Sequence, residues 1–289
     1  VEQYGVNEFD AEIVGLGPGL GVRDDTELSL AGLQNKLLLV ATERGWGRPV
    51  GGQPSTHILK IDDQRFPGLV SAEAAALRLA RGLGLGDLDP QLHQIEGVDC
   101  LIVARYDRLR AADGTIGRVH QEDSCQALGV MPDAHRGRGK YESSGGPTFA
   151  QIASLLRRYS ADPGDELDRL VRMIAFTMII GNADGHGKNL SLLYPAPGMP
   201  TLAPLYDTVP TVLWPRLRTT AAMSVAGETE FIRIGLDAIT REAEGWGMPG
   251  ERARSLAVDV VERALRAASG LGHDQVGELV TGRATQMLG

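Results

Sequence analysis

In the stretch "DELDRLVRMIAFTMII" (165–180) apolar residues recur at positions 167, 170, 171, 174, 175 and 178. That spacing predicts an α-helix with one buried stripe, and Gly181 is placed to stop it. "EDSCQALG" (122–129), "TFAQIASLLRRYS" (148–160) and the Arg- and Ala-rich segment 251–269 also read as helical. Earlier in the chain the pattern shortens. "LSLAGLQNKLLLVA" (28–41) reads as strand, small-residue turn, strand. "THILKI" (56–61) and "DCLIVARYDRL" (99–109) read as apolar strands with polar ends, and "DGTIGRV" (113–119) as a turn and strand. One Ala-rich helix interrupts them, "SAEAAALRLARGLGL" (71–85), with Ser71 as its expected N-cap and Gly82 and Gly84 near its stop. After the long helix, "NLSLLY" (189–194) and "TLAPLYDTV" (201–209) predict two strands around the turn "PAPGMP". The expected class is α+β, with a small β-rich lobe over 1–104, a larger helical lobe over 105–289, and a ligand cleft between them.

Residues 1–28 are Gly-rich and show no period. "GLGPGLG" (15–21) does not satisfy GxGxxG, because Leu20 stands where the last Gly belongs and Pro18 removes a backbone donor. It reads as a turn or linker.

Composition narrows the function classes. A chain of 289 residues with 43% apolar and 23% charged content is ordinary for a soluble globular protein. Its formal charge of −8, from 29 basic and 37 acidic residues, argues against a general nucleic-acid binder. Cys100 and Cys125 lack metal-ligand spacing and suit reduced thiols in the cytoplasm. The longest apolar run, "MIAFTMII" (173–180), is far shorter than the ~20 residues that cross a bilayer, and no signal peptide is visible. No membrane association is expected.

The chemistry concentrates in "GNADGHGKN" (181–189). Asp184 and Asn189 form D-x-x-x-x-N, the spacing by which a kinase catalytic loop offers a carboxylate to an attacking hydroxyl and an amide oxygen to magnesium. Magnesium keeps several waters, so one further carboxylate suffices. Asp207, expected at the end of the next hairpin's second strand, fits that role. Lys60 on a strand is the candidate cation for nucleotide phosphates, and Glu73 on the following helix its expected ion-pair partner. His186 has no partner at i+4, which favours a loop or phosphate-contact role over a metal ligand. Lys188 either balances local charge or stabilises charge on a transferred phosphoryl group. Each residue also has a plainer reading, as turn former, solvated strand-end lysine or first-turn acid. The order of five elements along the chain outweighs any one of them.

Several stretches in order carry a family resemblance: "SLAGLQNK" (29–36), "STHILKI" (55–61), "AEAAALRLARGLGL" (72–85), "VARYDR" (103–108), "VHQEDSCQALG" (119–129), "KYESSGGPTF" (140–149), "GNADGHGKNLSLL" (181–193) and "LAPLYDTV" (202–209). Over residues 29–209 the chain resembles the HipA-like serine/threonine kinases of bacterial toxin–antitoxin modules. The resemblance implies a protein-kinase-like two-lobe fold and phosphorylation of a protein with ATP and Mg2+. It places Asp184 as the catalytic aspartate, Asn189 and Asp207 as metal ligands and Lys60 as the nucleotide lysine. The hinge that meets adenine maps to Ala104–Tyr106, with Asp107 just beyond, and Gln121 and Asp123 fall near the ribose. The phosphate loop is 29–36, with Ser29, Ala31, Gly32, Gln34 and Lys36, and Ser29 matches a serine that the family autophosphorylates. A phosphate there adds roughly −2 charge, which would expel the loop from the ATP site.

Two departures stand out. Family toxins carry a β-rich segment of about a hundred residues, an ordinary domain size, before this core. Here 28 residues precede Ser29, so that segment is expected to be absent, cut away, or supplied by a separate small protein. The hinge also has Ala104 where an acidic residue is common. The implied partners are a protein substrate, translation-related in the family, and a helix-turn-helix antitoxin through which DNA contact would be indirect. Two other readings compete. A small-molecule or lipid kinase would use the same core on another alcohol, and an inert pseudokinase would serve as a binding module. The presence of Lys60, Asp184, Asn189 and Asp207 together weighs against the last.

Overall fold

A computed structural model describes residues 1–5, 8–15, 36–63, 65–196 and 199–289. The first part of the chain builds an antiparallel six-stranded sheet. Its strands are β1 (Glu2–Gln3), β2 (Lys36–Thr42), β3 (Gly45–Arg48), β4 (His57–Ile61), β5 (Gln91–Ile95) and β6 (Val98–Ala104), in the order β1-β3-β2-β4-β6-β5. Side chains alternate across each strand, so the two faces have separate partners. Leu59, Ile61, Cys100 and Ile102 meet Ile13 of helix α1 (Glu8–Gly15) in one cluster. Leu101 and Val103 meet Val70, Ala74 and Leu77 of helix α2 (Leu69–Gly82) on the other face. Both cysteines are buried free thiols, and burial pushes each up to about 11.

The Ala-rich sequence of α2 suits a helix packed on two sides. Ala72, Ala75, Ala76 and Leu79 turn away from the sheet into the large core of the second part. The start of α2 corrects one expectation. Ser71 lies inside the first turn, and its Oγ donates to the Gly68 carbonyl at 2.8 Å. The orphan amides of that turn are satisfied by Asp62, whose carboxylate accepts from Gly68 N at 2.6 Å and Val70 N at 2.8 Å.

Beyond Ala104 the chain forms the hairpin β7 (Arg108–Arg110) and β8 (Ile116–Arg118), then β9 (His120–Asp123) and the short helix α3 (Ser124–Ala127). Segment 99–109 is therefore two strands with a break at 105–107. Glu122 and Asp123, expected to be helical, end a strand, because Asp123 serves as N-cap in a capping box with Gln126. A turn α4 (Ala134–Gly137), with His135 and Arg136 at positive φ, leads to α5 (Phe149–Tyr159) and α6 (Pro163–Ile179). The predicted stripe of α6 is buried at its centre. Around it pack α5, α7 (Leu236–Gly245), α8 (Gly250–Ala267) and α9 (Asp274–Leu288). Strands β10 (Ser191–Ala196) and β11 (Met199–Leu202) pair with β9 in the order β11-β10-β9, and β12 (Thr220–Val225) pairs with β13 (Glu228–Glu230). The strand expected over 201–209 ends at Leu202. Ala203 N still reaches Ser191 O at 2.8 Å, but Pro204 has no N–H to extend the ladder. No helix among the described residues is long and apolar enough to cross a membrane.

Candidate active site

A cavity of about 170 Å³ opens between the α2 face of the sheet and the segment around Asp207. Strand alternation explains its composition. Ile58 and Lys60 share the β4 face opposite Leu59 and Ile61, so the lysine points at α2 while its neighbours enter the core. Lys60 Nζ donates to Glu73 Oε1 and to Asp207 Oδ1. Lys36, paired with Lys60 in the β2–β4 register, reaches Asp207 Oδ2 at 3.5 Å. Burial alone would lower the Lys60 pKa, but Asp207 and Glu73 hold it above the usual lysine value. Burial would raise Asp207, yet Lys60 and Lys36 keep its carboxyl well below the ordinary range. Asp207 does not end a strand. It sits in the loop after β11 at φ 47, a left-handed conformation that non-glycine residues rarely hold and that clusters at functional positions.

Ala104, Tyr106, Asp107 and Gln121 line the same cavity. Asp107 is held by Arg105 at 2.8 Å and Arg108 at 2.7 Å. Gln121 Nε2 donates to Ser191 Oγ at 3.3 Å. Apolar walls come from Ile58, Leu77, Leu88 and Val103. Asp123 is not on the lining; it caps α3 and pairs with Lys188 at 3.1 Å. Ser29, Ala31, Gly32 and Gln34 lie outside the described residues.

Asp184, His186, Lys188 and Asn189 stand in the adjoining loop after α6. Gly181 ends the helix at φ 63, and Val212 occupies the space a side chain there would need. The loop is then pinned from two sides. Thr211 Oγ1 accepts from Ala183 N at 2.7 Å, and Val212 N donates to Gly181 O at 3.2 Å. Lys140 O accepts from Gly187 N at 3.2 Å. Pro147 packs on Gly187, and Gly146 lies so close to the 140–141 backbone that a Cβ would come within 2.7 Å of it. The "GGP" run is thus a clamp on this loop. Inside the loop Asn189 Nδ2 donates to Asp184 O at 3.1 Å, and Asn182 Oδ1 accepts from Asp184 N at 3.1 Å. Tyr206 OH donates to Lys188 O at 2.6 Å and shares a 2.5 Å hydrogen bond with Ser191 Oγ. This places the residue before Asp207 against the residue before Asn189.

The Asp184 carboxylate is buried. Tyr141 OH donates to its Oδ1 at 2.5 Å, and His186 Nε2 lies 3.9 Å from the same oxygen. Burial lowers the His186 pKa to about 4 although Asp184 draws it up, so the imidazole is neutral near pH 7. Tyr141 had no assigned role in the sequence. Its segment has no period, and nothing local announces a contact 43 residues along the chain.

A magnesium ion fits the donor set. The Asp207 carboxylate already draws positive charge to both its oxygens. Asn189 donates through its nitrogen, which leaves an amide oxygen as its ligating atom. Among the described residues no group of three His, Cys, Asp or Glu could hold a metal unaided. A hard cation that takes its other oxygens from water and phosphate matches one carboxylate and one amide.

The chain as a whole is similar to known proteins. A family model for the HipA-like C-terminal domain matches residues 28–268. Y4mE of Sinorhizobium fredii is 40% identical over 280 residues, covering 92% of this chain and 65% of that protein. The serine/threonine-protein kinase toxin HipA of Shewanella oneidensis is 30% identical over 247 residues, covering 83% of this chain and 55% of the toxin. The chain thus spans less than two thirds of the length of either relative. The solved Shewanella oneidensis HipA, in complex with HipB and operator DNA, superposes with a TM-score of 0.82 at 25% identity, over 96% of this chain and 69% of that one. With the matched region reaching from before β2 to the end of α8, the chain belongs to the HipA-like C-terminal domain family.

Proposed function

We propose that this chain is the catalytic region of an ATP- and Mg2+-dependent serine/threonine protein kinase of the HipA type. The observation that carries the reading is the buried Lys60–Glu73–Asp207 network on the cavity wall, with the Asp184–Asn189 loop tied beside it. In this reading residues 1–104 form the nucleotide lobe and 105–289 the helical lobe. Adenine lies among Ile58, Leu77, Leu88 and Val103 against the backbone at Ala104–Tyr106. Gln121 and Asp107 stand toward the ribose, with Asp123 one layer behind. Lys60 and Lys36 face the phosphates, while Lys188 stands in the adjoining loop and His186 is enclosed beside Asp184.

The acceptor oxygen attacks the γ-phosphorus as the bond to the bridging oxygen breaks. ADP leaves with the electron pair, and the acceptor proton passes to the Asp184 carboxylate. Asp207 and Asn189 would hold magnesium, which supplies charge neutralisation to the phosphates. Positioning and electrostatics do most of the work in such a reaction. Ser29 is the proposed autophosphorylation site, and the loop 29–36 the phosphate cover. By analogy with the HipB complex of the Shewanella relative, a DNA-binding antitoxin is the proposed partner and the cytoplasm the place of action.

Intact-mass analysis after incubation with Mg·ATP tests this directly. Wild type is expected to gain the mass of phosphate, mapped to Ser29 or to an added protein, and Asp184→Asn to gain none. Nucleotide binding without transfer to any hydroxyl would favour a binding module instead.

A further inference from the structure

Tyr141 stands at a crossing of contacts that the reaction above does not use. Its hydroxyl donates to Asp184 Oδ1 at 2.5 Å. Lys140 Nζ lies 5.3 Å from the ring centroid, and the Arg218 guanidinium 5.1 Å from it. The His186 ring meets it edge-on at 5.2 Å and 83°. A buried tyrosine hydroxyl needs some partner, so the plain reading is a satisfied core tyrosine.

Two observations go further. First, the phenol is not what holds the loop. Tyr141 N donates to Arg138 O at 2.9 Å, Gly146 N donates to Tyr141 O at 2.9 Å, and Gly187 N donates to Lys140 O at 3.2 Å. The backbone clamp and the Pro147 contact stand without the hydroxyl. Second, the tyrosine hydroxyl and the His186 imidazole approach the same carboxylate oxygen, Oδ1. The phenol donates its hydrogen bond to that oxygen and carries no charge of its own. A hydrogen bond to Oδ1 restrains rotation of the carboxylate about its terminal bond.

We infer that Tyr141 is the positioning residue of Asp184: its hydroxyl locks the carboxylate in the orientation from which it receives the acceptor proton. The two cations on the ring hold the phenol in register. Tyr141 itself exchanges no proton with substrate. This rests on the kinase reading of the site.

The test compares wild type, Tyr141→Phe and Tyr141→Ala in the full chain. Phe keeps the ring near Lys140 and Arg218 and removes only the hydroxyl. A hydrogen bond to a charged group is the kind of contact whose loss slows a reaction roughly ten- to a hundredfold. Tyr141→Phe is therefore expected to lower kcat by roughly that factor. ATP affinity, measured by equilibrium binding, should stay within about twofold of wild type, and the melting temperature should be close to wild type. A merely structural role would instead move melting temperature and ATP affinity together, with Tyr141→Ala worse than Tyr141→Phe in both. Wild-type kcat in Tyr141→Phe, or loss shared equally between kcat and nucleotide binding, overturns the inference while the kinase reading stands. A wild-type chain that binds Mg·ATP but phosphorylates neither itself nor an added protein defeats the kinase reading, and this inference falls with it.

Discussion

His186 keeps a neutral imidazole in a site crowded with charge. Both ring nitrogens are buried and have no hydrogen-bond partner among the described residues. Its pKa falls from 6.5 unfolded to about 4 folded. Between those values the unfolded chain binds the extra proton, so stability is full above pH 6.5 and drains as pH falls toward 4. The linkage is worth on the order of 3 kcal/mol. Urea unfolding of wild type beside His186→Gln should show a steeper loss from pH 7 to 4.5 in wild type; parallel curves would clear His186 of this role. Gly181 makes a second case. Its positive φ and the Val212 side chain leave no room for a methyl. Gly181→Ala is expected to cost about 1–3 kcal/mol, with part recovered by adding Val212→Ala. An unchanged melting temperature in the single variant would contradict the crowding.

At the scale of elements, helix starts carry the site. Glu73 rides on the second turn of α2, and the first turn is capped from outside by Asp62. Asp62→Ala removes an acceptor from two backbone amides and should cost about 1–2 kcal/mol, read as a shift in the urea midpoint. Ser71→Ala should cost less, because its hydroxyl donates to a carbonyl rather than capping an amide. Equal losses would return the cap to Ser71. Periodicity located α2, α5 and α6 well, since long amphipathic segments repeat their signal. It misjudged their edges, because a cap can come from a residue six positions upstream, as Asp62 does for Gly68.

Across the whole molecule, the Lys60 network joins the sheet to a loop 147 residues later. Glu73 is fully enclosed, and burial raises its pKa despite Lys60. Removing the lysine alone strands a buried carboxylate. Lys60→Met is expected to destabilise the fold by about 3–5 kcal/mol, and Lys60→Met with Glu73→Leu to recover much of that. Equilibrium unfolding of the two variants decides it, and additive losses would mean the pair is not coupled. Breaking the network also removes one of the two lysines that hold Asp207, so nucleotide binding should suffer in both.

Local pattern alone determined a good deal here. The α6 stripe, the Ala-rich α2 and the strands β2, β4 and β6 follow from spacing, whereas β1, β3 and β5 carried no such signal; spacing and order also single out Lys60, Glu73, Asp184, Asn189 and Asp207 as the candidate set. Strand alternation even foretells that Lys60 faces away from Leu59 and Ile61. Tertiary structure alone decided the rest. The contact of Tyr141 with Asp184, the grip of Thr211 on Ala183 and the seat of Pro147 on Gly187 join residues with no shared period. So did the placement of Asp123 behind the cavity rather than on it, and the left-handed turn at Asp207. Periodicity reports which face of one element is buried. It carries no information on which distant group a buried polar atom will meet, and that pairing is set by how the elements pack.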